Sequence, residues 1–217
     1  VHMARYTMSN NPSYTYNMGN GNFMNMLTPQ AYDPTIRWET TTTYNVGLDY
    51  GFFNDRLSGS IDAYMRDTKD LLNSVQVPMG SNFGNRLMTN IGSIRNKGLE
   101  FSITGIPVQT AFWSVQVGVN GTFQDTEFTR LNVTEDDNYY IETGNISKGT
   151  GGYLCRQMVG YAPYTYYTYK QKYDAAGKPI QNEFVDLDGD GQITEGDRYM
   201  TGKSASPKFF YGMNLKV

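Results

Sequence analysis

The chain has 217 residues, a formal net charge of −3, 14% aromatic and 18% charged residues, and 23 glycines. Lys and Arg scattered in slight negative excess exclude the basic stripe that nucleic-acid backbones require. A single histidine, His2 at the N-terminal end, excludes Ser-His-Asp chemistry, and no run of about 20 apolar residues offers a spanning helix.

Eighteen tyrosines and many glycines against few charges favour strands and turns, so the chain reads as all-β. No signal peptide opens it, and an exported protein would be represented by a mature segment. Residues 1–41 read as a loop leading into the first strand.

Residues 42–130 carry two hairpins. In the first, Tyr44, Val46, Leu48, Tyr50 and Phe52 alternate with Thr43, Asn45, Gly47, Asp49 and Gly51. After the tight Asn54-Asp55-Arg56 turn, Leu57, Gly59, Ile61, Ala63 and Met65 alternate with polar residues. In the second hairpin, Leu99, Phe101 and Ile103 lead through Pro107–Ala111 to Trp113, Val115, Val117, Val119 and Phe123.

Between the hairpins, residues 67–98 read as a long loop, and 131–206 as a second long region, with a closing strand over 207–217. Alternation alone fits a soluble β-sandwich equally well. Three features favour an antiparallel transmembrane β-barrel segment with long extracellular loops: polar faces of Ser, Thr, Asn, Gln and Gly in place of Lys and Glu, aromatic residues at strand ends, and connections alternately tight and long.

Within 131–206, Asp186-Leu-Asp-Gly-Asp-Gly-Gln-Ile-Thr-Glu-Gly-Asp197 has the spacing of an EF-hand-type calcium loop. Asp186, Asp188 and Asp190 stand at positions 1, 3 and 5, Gly191 at the sharp turn, Gln192 where a backbone carbonyl would ligate, and Asp197 at position 12, where Glu is usual. A hard dication wants several oxygens, and three carboxylates at alternate positions repel one another without one. Calcium in a structural role is expected, and the competing reading is an acidic turn held by Asx hydrogen bonds.

Tyr161, Tyr164, Tyr166, Tyr167 and Tyr169 form a second candidate, since their faces and hydroxyls suit sugars or peptides. Such residues more often pack loops. Glu135-Asp136-Asp137 reads as solvated carboxylates and not as a glycosidase pair. Cys155, the lone cysteine, reads as a small packing residue.

Specific motifs run through the chain in order: Pro34-Thr-Ile-Arg-Trp38-Glu39, Tyr44-Asn-Val-Gly-Leu-Asp-Tyr50-Gly51, Arg56-Leu57-Ser-Gly-Ser-Ile61-Asp62-Ala-Tyr64, Thr68-Lys69-Asp70-Leu71-Leu72, Asn90-Ile91-Gly92-Ser93, Asn96-Lys97-Gly98-Leu99-Glu100, then Asp186–Asp197, Gly202 and Pro207-Lys208-Phe209. From about Thr28 onward this order resembles SusC/RagA-type TonB-dependent outer-membrane proteins of Bacteroidetes. The resemblance implies a wall segment of a barrel of about 22 strands that imports glycans or peptides.

It further implies a plug and a TonB-contacting segment outside this chain, a SusD-like surface lipoprotein over the outer mouth, and outer-membrane lipid around the wall. Strand parity then sets 67–98 and 131–207 outside the cell. A secreted, calcium-stabilised β-sandwich that binds carbohydrate is the alternative, and a glycoside hydrolase the third reading.

Overall fold

The computed structural model describes residues 6–8, 15–17, 23–25, 27–76, 86–131, 138–146 and 152–217. Among them are fifteen strands and one short 3-10 turn, Glu195–Asp197. The strands are β1 (Tyr6–Met8), β2 (Thr15–Asn17), β3 (Phe23–Asn25), β4 (Leu27–Pro29), β5 (Thr40–Phe52), β6 (Leu57–Gln76), β7 (Arg86–Gln109), β8 (Ser114–Arg130), β9 (Tyr140–Asn145), β10 (Tyr153–Met158), β11 (Thr165–Tyr169), β12 (Gln171–Tyr173), β13 (Pro179–Phe184), β14 (Arg198–Ser204) and β15 (Phe209–Lys216). Two compact units contain them, Val1–Thr40 with Thr68–Gly92 and Thr41–Asp67 with Ser93–Val217.

A five-stranded sheet runs in the order β15-β8-β7-β6-β5. Its register sorts side chains by face. Leu99, Phe123 and Phe209 lie opposite one another across β7, β8 and β15, as do Phe101, Gly121 and Tyr211, and Ile103, Val119 and Met213. The alternate rows are Ser102, Asn120 and Gly212, and Thr104, Gly118 and Asn214. One face is therefore apolar and the other small and polar, as the period-two pattern predicts.

Exposure decides between a sandwich and a membrane wall. A sandwich would cover its apolar face with a second sheet about 10 Å away, yet Val46, Met213 and Leu215 are 77%, 71% and 68% exposed. Among the described residues the buried hydrophobics are Ile91, Phe128, Leu131 and Cys155, and none lies on that face. An apolar face without a protein partner suits lipid, where each exposed side chain is already in an apolar solvent.

The height of the apolar band agrees. From Trp113, at the edge of the β7–β8 turn, to Phe123 in β8 is roughly ten steps, about 34 Å along an extended chain and about 26 Å along the membrane normal at the usual tilt of about 40°. Outer-membrane barrels carry an apolar band about 25 Å tall. One step beyond Phe123 on the same face, the pattern turns charged. Lys97 pairs with Asp125, whose carboxylate meets the Lys97 Nζ at 3.7 Å and the Lys208 Nζ at 2.9 Å, and Arg95 meets Asp67 at 2.7 Å.

At the other end the turns are tight. Phe53, Asn54 and Asp55 take left-handed backbone angles with φ of 58°, 53° and 62°, and the Arg56 guanidinium donates to the carbonyls of Ile106 and Pro107 at 3.1–3.3 Å. In the β7–β8 turn the Thr110 hydroxyl accepts the Trp113 N–H at 2.9 Å. On the polar face Tyr64 lies over Gly98, where a Cβ would come within 2.6 Å of the ring, so only glycine admits it.

The long connections differ from the expectation. Residues 67–76 and 86–98, read as loop, continue β6 and β7 as paired strand, and the tip at 77–85 lies outside the described residues. Beyond the charged border neither face meets lipid, so apolar alternation stops while the backbone ladder goes on. Residues 131–206 likewise hold a four-stranded sheet in the order β14-β11-β10-β9 and the β12–β13 hairpin. His2 and Glu135–Asp137 fall outside the described residues.

In the smaller unit, β1 pairs with β4 and β2 with β3. Its 33–39 segment is tied to the strand ends by side chains. The Asn90 amide accepts the Arg37 N–H at 2.8 Å and donates to the Arg37 carbonyl at 2.9 Å, imitating a peptide group. Asp33 accepts the Thr89 hydroxyl at 2.5 Å, Glu39 accepts the Leu72 N–H at 3.0 Å, and Arg37 meets Asp70 at 2.7 Å.

Candidate functional site

The acidic loop lies between β13 and β14. Asp186 accepts the N–H groups of Gly189 and Gly191 at 2.6 and 2.8 Å, Asp188 that of Asp190 at 3.1 Å, and Asp190 that of Gln192 at 2.7 Å. These Asx bonds curl the loop, and Gly191, at φ +82°, makes the turn that a Cβ would strain. They also bring Asp186, Asp188 and Asp190 together: one oxygen from each lies within 4.8 Å of the others.

That spacing admits a hard cation. Oxygens held at about 2.3–2.6 Å from calcium are about 5 Å apart when they face each other across the ion and closer otherwise. The carboxyl of Asp188 carries the electrostatic sign of such a site. The Asp190 N–H pulls it down, but burial and the facing carboxylates of Asp190, Asp197 and Asp186 outweigh that bond and leave Asp188 above the ordinary Asp range.

Asp197 faces Asp186 and Asp188 from a buried position. It is fully buried, with Oδ1 accepting the Leu187 N–H at 2.6 Å and Oδ2 accepting the Thr194 N–H at 2.7 Å. Those N–H groups, Thr194 first, hold its carboxyl below the usual range. Together with Thr194, whose hydroxyl accepts the Gly196 N–H at 3.2 Å, it forms the capping box of the 3-10 turn. Its geometry is that of a brace beneath the loop. The Gln192 N–H is engaged by Asp190.

The five tyrosines do not make one cluster. Tyr166 pairs with Cys155 on one face of the small sheet, while Tyr167 and Tyr169 point from the other. Tyr161 and Tyr164 sit in the preceding turn, with Tyr164 half exposed at φ +56°. Tyr169 packs on Phe184 with centroids 5.4 Å apart, and its hydroxyl donates to Glu195 at 3.4 Å.

Tyr167 belongs to a stack that the sequence does not announce. The Arg156 guanidinium lies 3.8 Å from the Tyr140 ring centroid and 3.5 Å from that of Tyr167, and Arg198 lies 4.5 Å from the same Tyr167 centroid. Arg198 also binds Glu195 at 2.8 Å and donates to the Tyr167 carbonyl at 2.8 Å, which joins the stack to the acidic loop. Alternation along four paired strands brings these residues to one face, so only the pairing reveals them.

Comparison with known proteins follows the same lines. Residues 3–201 match the family described as TonB dependent receptor-like, beta-barrel. The chain is 46% identical over 178 residues to the TonB-dependent receptor SusC of Bacteroides thetaiotaomicron, an alignment covering 82% of this chain and 18% of that protein. It is 31% identical over 209 residues to the TonB-dependent receptor P3 of Formosa agariphila, covering 87% and 20%. A solved structure of the RagAB peptide transporter superposes with a TM-score of 0.71 at 26% identity, over 99% of this chain and 22% of that one. The chain thus spans about a fifth of the length of these relatives.

Proposed function

Because the chain belongs to the TonB-dependent receptor β-barrel family of the outer membrane, we propose that it supplies wall strands and outer loops to an importer of large nutrients, glycans or peptides. The observation that carries this reading is the uncovered apolar face of β5–β8 and β15, backed by a small polar face and ended by a row of ion pairs. The polar face lines the lumen, the tight turns at 53–56 and 110–113 face the periplasm, and the long connections face the exterior. Peptide is retained beside glycan because the RagAB relative is a peptide transporter.

On this reading a SusD-like lipoprotein meets the outer loops and the TonB complex supplies energy through a plug. The test is uptake by cells whose copy of the full-length protein is deleted or restored. Restoration should return uptake of labelled oligosaccharide or oligopeptide only when TonB is functional. Uptake that is equal with and without the protein for both classes would defeat the assignment.

Calcium is the second element of the proposal. Asp186, Asp188 and Asp190 would hold the ion with the carbonyl of Gln192, and Asp197 would brace the loop from below. The ion would supply charge neutralisation and a fixed loop, not chemistry. The three converging carboxylates and the raised Asp188 support it. Chelation should make the 186–197 loop more sensitive to protease, reversibly on calcium return, and sensitivity that is the same with and without chelator would remove the ion from the account.

A further inference from the structure

We propose that Lys97 and Lys208 form a binding site for the phosphate of a membrane lipid at the long-loop border of the wall. The inference rests on the lipid-facing assignment of the apolar face and is independent of substrate and of TonB. Lys97 stands on that face one row beyond Leu99 and Phe123, in an unbroken stretch of register. The hydrocarbon therefore ends at the lysine stems, and the ammonium groups lie at headgroup level, as snorkelling side chains do.

Asp125 organises the pair. Its Oδ1 accepts from the Lys208 Nζ at 2.9 Å and its Oδ2 faces the Lys97 Nζ at 3.7 Å, so one carboxylate gathers two ammonium groups. The trio keeps one net positive charge. Each ammonium has three N–H donors and spends at most one on Asp125, while the side chains remain 55% and 62% exposed. Donors held together, partly free and in positive excess are what a phosphate needs.

The surroundings set the position of the charge. The next row outward holds Arg95 with Asp67, and Glu127 pairs with Arg95 in the register, so that row is negative by one. Of these two rows, the one next to the hydrocarbon, where lipid phosphates lie, carries the positive excess. Ammonium donors set one row beyond the apolar pair Leu99 and Phe123 suit the junction between a phosphorylated headgroup and its acyl chain, and suit a free phosphate less well.

The full-length protein, reconstituted in phosphatidylcholine vesicles doped with phosphatidic acid, gives the test by counting lipids retained after detergent extraction. Phosphatidic acid should be retained in excess over phosphatidylcholine, and added inorganic phosphate should not displace it. Lys97→Ala with Lys208→Ala should lower retention by roughly fivefold per lysine, while Lys97→Arg with Lys208→Arg should keep it. Heat-modifiable migration of each variant reports a folded barrel separately from lipid binding. Equal retention of the two lipids, unchanged retention in the double alanine variant, or displacement by inorganic phosphate would overturn the proposal.

Discussion

The wall sheet and the small sheet of β9–β11 and β14 use the same strand alternation to opposite ends. In the wall, large apolar side chains such as Met213 and Leu215 point away from the protein, and the opposite face is Ser, Asn and Gly. In the small sheet the buried groups include Thr165 and Asp197 beside Cys155, and the ordering comes from hydrogen bonds and an arginine–tyrosine stack. The solvent around each sheet accounts for the difference. Lipid tolerates an apolar exterior and demands a complete backbone ladder, whereas water demands that polar groups taken from it find partners.

The sharpest way to break this contrast is to put charge where lipid should be. Ile103→Arg, in the apolar band, should destabilise the full-length barrel by about 2–4 kcal/mol in reversible unfolding from bilayers, and Asn120→Arg on the polar face should cost well under half of that. Similar costs for both would mean that the apolar face is not against lipid.

In the small sheet the equivalent lesion is polar. Asp197→Ala removes the acceptor of two backbone N–H groups. Hydrogen exchange at Leu187 and Thr194 should accelerate by about tenfold or more, the effect of losing one charge-assisted bond, with no change in the wall strands. A smaller effect is expected at the stack: Arg156→Met should cost about 1–2 kcal/mol of local stability, read by exchange in β10.

The smallest prediction concerns acid. Thr35 first, by its side chain, and then Thr89 and the Thr35 N–H hold the Asp33 carboxyl below the ordinary range. A depressed carboxyl stabilises above its unfolded pKa, near 3.9, and that contribution is lost as pH falls through the lower folded value. The Thr35 N–H should therefore stay protected at pH values where an ordinary aspartate is already half protonated, and lose protection only below them. A carboxyl titration of Asp33 at the ordinary value would contradict this.

Legibility in the sequence follows the same division. Tyr44–Phe52, Leu57–Met65 and Val115–Phe123 alternate because lipid imposes a rule on one face, and that rule is visible in residue types. Residues 67–76 and 86–98 are strand without alternation, since water on both sides imposes none, and only the ladder marks them. The motifs at 33–39 and 89–92 are recognisable one by one, but the Asn90 amide that joins them is a matter of approach in space. Asp197 fits a ligand position by count, and its burial and its bonds to the Leu187 and Thr194 N–H groups are visible only in the fold. The tyrosines at 161–169 are neighbours in sequence, and strand geometry sends them to different faces.

The central claim is that the β8 odd-numbered residues face lipid. Nitroxide labels placed singly from 115 to 125 in the full-length protein in bilayers test it directly. Labels at 115, 117, 119 and 123 should collide with oxygen and be shielded from a water-soluble paramagnet, with 116, 118, 120 and 122 the reverse, and residue 125 should mark the crossover. Odd-numbered labels shielded from both reagents would place them in a protein core and contradict the account.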